Sequence, residues 1–238
     1  KDVLVDKIIK NKDTLTEEEM SELIHRRVKI EKIAIKDVKL RTFITEDSSR
    51  DEMVQHVYDI TYGTVRPHVD TLVVIDDSIV RGTTLRESII TMLDRLKPKK
   101  IVIVSSAPQI RYPDCYGIDM SRMGDFIAFQ AAVALIKDQG KEALMEEVYE
   151  LIKNASDEDL LKENYVKRIY EPFTPVEISA KIAAMLKQDF IESEVEIIYQ
   201  SIEGLHKSCP NNTGDWYFTG NYPTKGGNRV ANRAFLNY

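Results

Sequence analysis

The sequence predicts an α/β fold built on a parallel sheet, and three observations predict it. Two short, continuous aliphatic runs, 72–75 (Leu-Val-Val-Ile) and 101–104 (Ile-Val-Ile-Val), stand on either side of an amphipathic stretch carrying Ile89, Ile90 and Leu93. Aliphatic strands separated by a helix are the pattern of a βαβ unit, whose sheet is covered on both faces and whose crossover is right-handed. A third run, 195–199, returns after a long helical stretch and supplies a last strand. Ligands of such sheets gather at the carboxyl ends of the strands, which directs attention to the turn that follows Ile75.

The elements follow in order. Within the first thirty residues Thr16 and Glu19 form a capping box ahead of Met20, Leu23 and Ile24, so this region reads as helix. Residues 32–35 and 40–44 alternate and read as strands, and 45–50 is polar and turn-like. A connection through Tyr62, Gly63 and Pro67 leads to the strand at 72–75, and Pro98 stops the helix that follows it. From Phe126 to about Ser193 apolar residues recur at helical spacing, as at Met145, Val148, Tyr149 and Ile152, and Thr174-Pro175-Val176-Glu177 is a second capping box. The predicted organisation is a core over 1–125 that lacks its N-terminal part, a helical insertion over 126–193, and a last core strand with a C-terminal tail over 194–238. The tail is rich in Gly, Asn and Pro from Cys209 to Asn228, and weak secondary structure is expected there.

Composition excludes several functions. The 238 residues are 43% hydrophobic and 30% charged, as in an ordinary globular protein rather than a disordered one. A formal net charge of −6 argues against binding nucleic acid, which needs a field of Lys and Arg. The densest basic run, 97–100, is only a helix-to-strand turn. No aliphatic run approaches the roughly 20 residues of a membrane span, so no membrane association is expected. The start, Lys1-Asp2-Val3, has no apolar signal region and no initiator Met, which suggests a fragment of a longer chain. Cys115 and Cys209 stand far apart with no CxxC, which supports neither a disulfide framework nor a zinc or iron–sulfur site. A cytoplasmic location is the expectation.

The chemistry concentrates in Val73-Val74-Ile75-Asp76-Asp77-Ser78-Ile79-Val80-Arg81-Gly82-Thr83-Thr84. Adjacent carboxylates at the end of a buried strand repel one another and lose solvation, so Asp76 and Asp77 need a cation or a set of hydroxyl donors. Mg²⁺ with sugar hydroxyls would serve, because that ion prefers oxygen ligands and keeps several waters. Gly82 then allows close backbone approach, Thr83 and Thr84 offer hydroxyls, and a helix begins whose free amides attract an anion. A diol site one turn from a phosphate cradle fits a phosphorylated ribose held at both ends. Two readings stand for Arg81: phosphate contact, or a side chain that points to solvent or pairs with Glu87. Thr83 and Thr84 can bind phosphate and cap the helix at once. Tyr112 and Tyr116 read as packing residues, with an aromatic near the ribose as the other reading, and Cys115 as a small buried hydrophobe. His25, His56, His68 and His206 are scattered and receive no catalytic role.

The Asp-Asp-Ser-Ile-Val-Arg-Gly-Thr-Thr block resembles the signature of type I phosphoribosyltransferases, and in this full form that of the amidophosphoribosyltransferases, which open purine nucleotide synthesis. Arg41-Thr42-Phe43-Ile44, Ala107-Pro108-Gln109-Ile110-Arg111-Tyr112-Pro113, Tyr116-Gly117-Ile118-Asp119 and Phe218-Thr219-Gly220-Asn221-Tyr222-Pro223-Thr224 agree with it, so the resemblance spans roughly 32–224. It implies that Asp76 and Asp77 are the catalytic and metal-binding pair, contacting the ribose hydroxyls and the Mg²⁺ region of phosphoribosyl pyrophosphate (PRPP). Ser78, Arg81, Gly82, Thr83 and Thr84 would bind substrate, chiefly the 5′-phosphate. Arg41 would reach the pyrophosphate or bridge to a neighbouring acid. The implied reaction is displacement of pyrophosphate by ammonia to give phosphoribosylamine, with a glutaminase domain as the source of ammonia, purine nucleotides as further ligands, and a homo-oligomeric assembly.

Three departures from the family pattern stand out. A charged helix occupies the place of the family's first strand and its pyrophosphate loop. Residues 51–59 carry few positive charges where relatives have a basic closing loop. Asn211 and Gly214 stand where some relatives have a cluster-binding CxxC, so no iron–sulfur cluster is expected. The alternatives are a non-catalytic paralogue that binds PRPP or nucleotides, and a nucleobase salvage phosphoribosyltransferase.

Overall fold

The computed structural model describes residues 2–12, 14–25, 30, 33–36, 58–61, 63–116, 120–212 and 214–238. Helices α1 (Asp2–Asn11) and α2 (Glu17–His25) open the chain. The predicted capping box precedes α2: the Glu19 amide donates to Thr16 Oγ1 at 3.2 Å, and the Thr16 amide donates to Glu19 Oε2 at 2.9 Å. Strands β1 (Ala34–Lys36) and β2 (Tyr58–Ile60) pair antiparallel. The predicted strand at 40–44 and the polar turn at 45–50 lie outside the described residues.

The main sheet is parallel, in the order β3 (Thr71–Asp76), β4 (Lys100–Ser105), β5 (Glu194–Tyr199). This is the α/β architecture expected from the alternating strands and helices. The three strands run in step, with Leu72 opposite Ile101, Ile103 opposite Ile197 and Asp76 opposite Ser105. The central strand β4 is buried on both faces, Ile101 and Ile103 completely. At β3 the expectation of two covered faces fails: Leu72 is buried, but Val73 and Ile75 are 63% and 74% exposed. The reason is position, because among the described residues β3 is an edge strand and its outward face has no helix upon it.

The crossover from β3 to β4 begins with a π-helical turn, Leu85–Ile89, that continues into α3 (Ile90–Asp94). Leu85, Ile90 and Leu93 point into the core. Asp94 then ties this helix to the start of β5 by accepting from the Ser193 amide at 2.9 Å, while Ser193 Oγ donates to Pro98 O at 2.9 Å.

Between β4 and β5 come α4 (Ile127–Asp138), α5 (Ala143–Asn154), α6 (Asp157–Lys162) and α7 (Pro175–Leu186). A helix that is apolar nearly all round belongs in the interior, and α4 is such a helix: Ile127, Ala128, Phe129, Ala131, Ala132, Val133 and Ile136 are buried. Against it packs α7, which also covers β5, so these helices share one hydrophobic core with the sheet. The second predicted capping box starts α7, with Thr174 Oγ1 accepting from the Glu177 amide at 3.2 Å and Glu177 Oε2 accepting from the Thr174 amide at 2.7 Å. No helix among the described residues is long and apolar enough to cross a membrane.

After β5 come α8 (Ile202–Ser208), α9 (Trp216–Thr219) and α10 (Lys225–Leu236). The stretch 209–228, where weak secondary structure is expected, holds the short α9 and the first residues of α10, most of which lies beyond it. The anchor of α10 is Asn232, completely buried, whose amide donates to Glu163 O at 2.8 Å and Leu160 O at 3.3 Å while its Oδ1 accepts from the Tyr165 amide at 3.0 Å. Asn232→Ala leaves these backbone groups without partners in a dry environment, so a loss of about 1–3 kcal/mol is expected in chemical denaturation, with the far-ultraviolet spectrum retained.

Candidate functional site

The parallel register carries β3 and β4 to the same edge of the sheet, and the pairing continues one step beyond the strands. The Ser106 amide donates to Asp76 O at 2.9 Å and the Ala107 amide to Asp77 O at 3.0 Å. The backbone of the two aspartates is thereby held against the start of the stretch 107–113. Their side chains turn back onto their own loop: Asp76 Oδ1 accepts from the Asp77 amide at 3.0 Å, and Asp77 Oδ1 from the Ser78 amide at 2.7 Å. Asp76 is half-buried and Asp77 exposed. Burial raises the Asp76 carboxyl above the ordinary carboxylate range, the adjacent Asp77 carboxylate adds to the rise, and the Asp77 amide opposes it.

Beyond the acids the chain must reverse into a helix, and Gly82 makes the reversal. It adopts φ +72°, a left-handed conformation that costs an L-residue about 1–2 kcal/mol. The space beside it is also filled: a Cβ there would stand 2.8 Å from Leu186 Cδ2 at the end of α7 and 3.7 Å from Ile127 at the start of α4. Helix geometry starts at Thr83, with the Arg86 amide donating to Gly82 O at 3.0 Å. Thr83 and Thr84 are exposed at this first turn, where helical amides lack intrahelical acceptors and the dipole favours an anion. The structure thus brings Asp76, Asp77, Ser78, Gly82, Thr83 and Thr84 into one strand–loop–helix unit. Arg41 lies outside the described residues.

Arg81 answers one open reading in a way the sequence did not offer. Its guanidinium donates from Nη2 at 2.9 Å and from Nε at 3.3 Å to Asp125 Oδ2. Asp125 is 44 positions away, a distance over which no local pattern operates.

The stretches that flank this unit also meet. The Arg111 and Tyr112 amides donate to Tyr217 O at 2.8 and 3.1 Å, Tyr222 Oη donates to Pro113 O at 2.7 Å, and Tyr217 Oη donates to Asp114 Oδ1 at 3.0 Å. Tyr112 is buried edge-on against Tyr170, a packing role as expected, whereas Tyr116 is 79% exposed. Cys115 is half-buried. Among the described residues His206 pairs with Asp215 at 3.1 Å on the far stretch of the tail. A groove of about 640 Å³ between α7 and β5, lined by Arg111, Val176, Ser179, Ala183 and Ile198, includes none of residues 76–84. At the carboxyl edge Asp77, Thr83 and Thr84 are exposed among the described residues.

Gly82→Ala forces a side chain into the left-handed region and pushes on Leu186, so the chain is expected to lose about 1–2 kcal/mol of stability, read as a lower denaturant midpoint with unchanged m-value.

No protein-family model matches the chain. Curated proteins do. It is 50% identical over 58 residues, 24% of its length, to the amidophosphoribosyltransferase of Pasteurella multocida Pm70, and 49% identical over 57 residues to that of Escherichia coli K12. A longer match, 33% identical over 100 residues and 41% of the chain, is to the amidophosphoribosyltransferase of Staphylococcus aureus Mu50. These stretches cover 11% of the first two relatives and 19% of the third. Over part of its length, then, the chain has curated homologues named amidophosphoribosyltransferase, in agreement with the resemblance carried by residues 76–84.

Proposed function

We propose that this chain is a phosphoribosyltransferase domain of the amidophosphoribosyltransferase kind, which holds Mg-PRPP while ammonia displaces pyrophosphate to give 5-phosphoribosylamine. The observation that carries this reading is the single unit in which two adjacent carboxylates end a parallel strand and a left-handed glycine opens a helix. A ribose phosphate offers a diol to the carboxylates and an anion to the helix start.

The donor set fits a magnesium ion of limited protein ligation. The adjacent carboxylates of Asp76 and Asp77 offer hard oxygens of the kind that ion prefers, with water and substrate oxygens to complete its shell. When bound with substrate, Mg²⁺ would neutralise charge on the departing pyrophosphate. The chain's own part is placement. Asp76 and Asp77 accept hydrogen bonds from the ribose 2′- and 3′-hydroxyls and favour positive charge developing at the anomeric carbon. Thr83 and Thr84, with the free amides of the first turn, hold the 5′-phosphate, so the sugar is fixed at both ends while the bond to pyrophosphate breaks. Displacement of pyrophosphate demands little proton transfer before the bond breaks, which suits a site that holds no histidine among residues 71–116.

Ammonia in this reading is delivered to the site from a glutaminase domain. Burial and the neighbouring Asp114 push the Cys115 thiol up, which disfavours the thiolate at that residue.

Titration of the chain with PRPP, with and without Mg²⁺, and with ribose 5-phosphate, tests the site. Metal-dependent PRPP binding supports it; equal affinity for Mg-PRPP in Asp76→Asn/Asp77→Asn and wild type overturns the assignment. The double variant is expected to lose more than tenfold in Mg-PRPP affinity. In the metal-free chain Asp76→Asn is also expected to stabilise at pH 7. An acid whose folded pKa is raised stays costless below its unfolded pKa and penalises folding as pH rises through the ordinary carboxylate range toward the raised value. The stability gap between variant and wild type should therefore be absent at low pH, open through that range, and stay constant above it. Mg-PRPP binding without ammonia-dependent turnover in the full-length protein would favour the non-catalytic paralogue.

A further inference from the structure

We infer that Asp125 is a positioning residue for the phosphate loop, acting through Arg81; the inference rests on the phosphate reading of residues 81–84. Arg81 carries a long side chain that is 62% exposed, and left alone it would sample many rotamers above the loop. Asp125 removes that freedom. Both hydrogen bonds, from Nε and Nη2, end on the same oxygen, Asp125 Oδ2. Of the five guanidinium N–H groups two are engaged by Asp125, which leaves three that could meet a phosphate.

The support beneath Asp125 is rigid. It closes the 3-10 turn Met123–Asp125, in which Met123 is 1% exposed, and Phe126 and Ile127 follow it at 0% and 4%. Gln130 Nε2 donates to Gly124 O at 2.6 Å and fixes the turn from the side of α4. The same segment grips the loop through its backbone, with the Ile127 amide donating to Val80 O at 2.8 Å, and Ile127 also lines the space beside Gly82. One short segment, 123–127, therefore sets the loop by a buried amide bond and sets its cation by a charged pair.

Asp125 could in principle act the other way, by competing with phosphate for Arg81. The geometry favours orientation over competition. A carboxylate that clamped the guanidinium shut would engage its fork with both oxygens, whereas here one oxygen holds one edge. Preorganising the side chain lowers the ordering cost of binding, and the phosphate gains directed donors.

The test is calorimetric titration of ribose 5-phosphate and Mg-PRPP into wild type, Asp125→Ala, Asp125→Asn, Arg81→Ala and the Arg81→Ala/Asp125→Ala pair, each checked by thermal melting. Asp125→Ala is expected to weaken ribose 5-phosphate binding five- to tenfold. Asp125→Asn, which keeps an oxygen acceptor, should stay within about threefold of wild type, a rescue that a merely structural role for the charge would not produce. In the Arg81→Ala background the Asp125→Ala loss should vanish, because the effect passes through the guanidinium. Unchanged affinity in Asp125→Ala overturns the inference, as does tighter binding in both Asp125 variants or a loss of equal size without Arg81. A wild-type chain that binds neither ligand overturns the phosphate reading itself, and this inference with it.

Discussion

The parallel pairing of β3 with β4, which sets Asp76 opposite Ser105 and then continues through the Ser106 and Ala107 amides, is the constraint on which the site depends. It delivers the carboxyl ends of the strands to one edge. It also leaves the chain after Asp77 with nowhere to go except a sharp reversal, since the next helix must return along the sheet. Gly82 is where that reversal happens, and Leu186 and Ile127 press on it from the side of the helical layer. Strand register, glycine geometry and helix packing converge on a loop of fewer than ten residues.

Electrostatics at that loop run against stability. Asp76 is half-buried beside a second carboxylate, and its Oδ1 accepts from an amide of the same loop. Such a pair does not favour stability, because a half-buried carboxylate beside a second one loses solvation and feels its repulsion. Keeping them makes physical sense where a cation and hydroxyl groups complete the arrangement on binding. The cation of the loop is handled differently: Arg81 comes already paired with Asp125, so its charge is balanced.

The core of this architecture was legible in the residues. The aliphatic runs at 72–75, 101–104 and 195–199 became three parallel strands, and both capping boxes formed with reciprocal hydrogen bonds. Those signals are local, and local signals survive translation into structure. Partnerships between distant segments were not legible. The Arg81–Asp125 pair joins residues 44 positions apart, and α10 begins with Lys225-Gly226-Gly227, which propensity reads as loop. Its stability comes from Asn232 and Phe235, buried against segments some seventy residues earlier or more. The exposure of Val73 and Ile75 likewise follows from the place of β3 at the edge of the sheet among the described residues, which strand composition does not encode.

The docking of Arg111 and Tyr112 onto Tyr217 bears on how the molecule is assembled. Closing a loop of about a hundred residues carries an entropic cost that local turns avoid, and contacts of that separation slow folding. During synthesis the strand–loop–helix unit at 71–94 leaves the ribosome long before residue 217 exists. The turn at 76–84 can therefore begin to form early, while its packing against Ile127 and Leu186 and the docking of Arg111 and Tyr112 onto Tyr217 must wait for those residues. Maturation of the site is in this sense a late event, governed by contacts of long sequence separation.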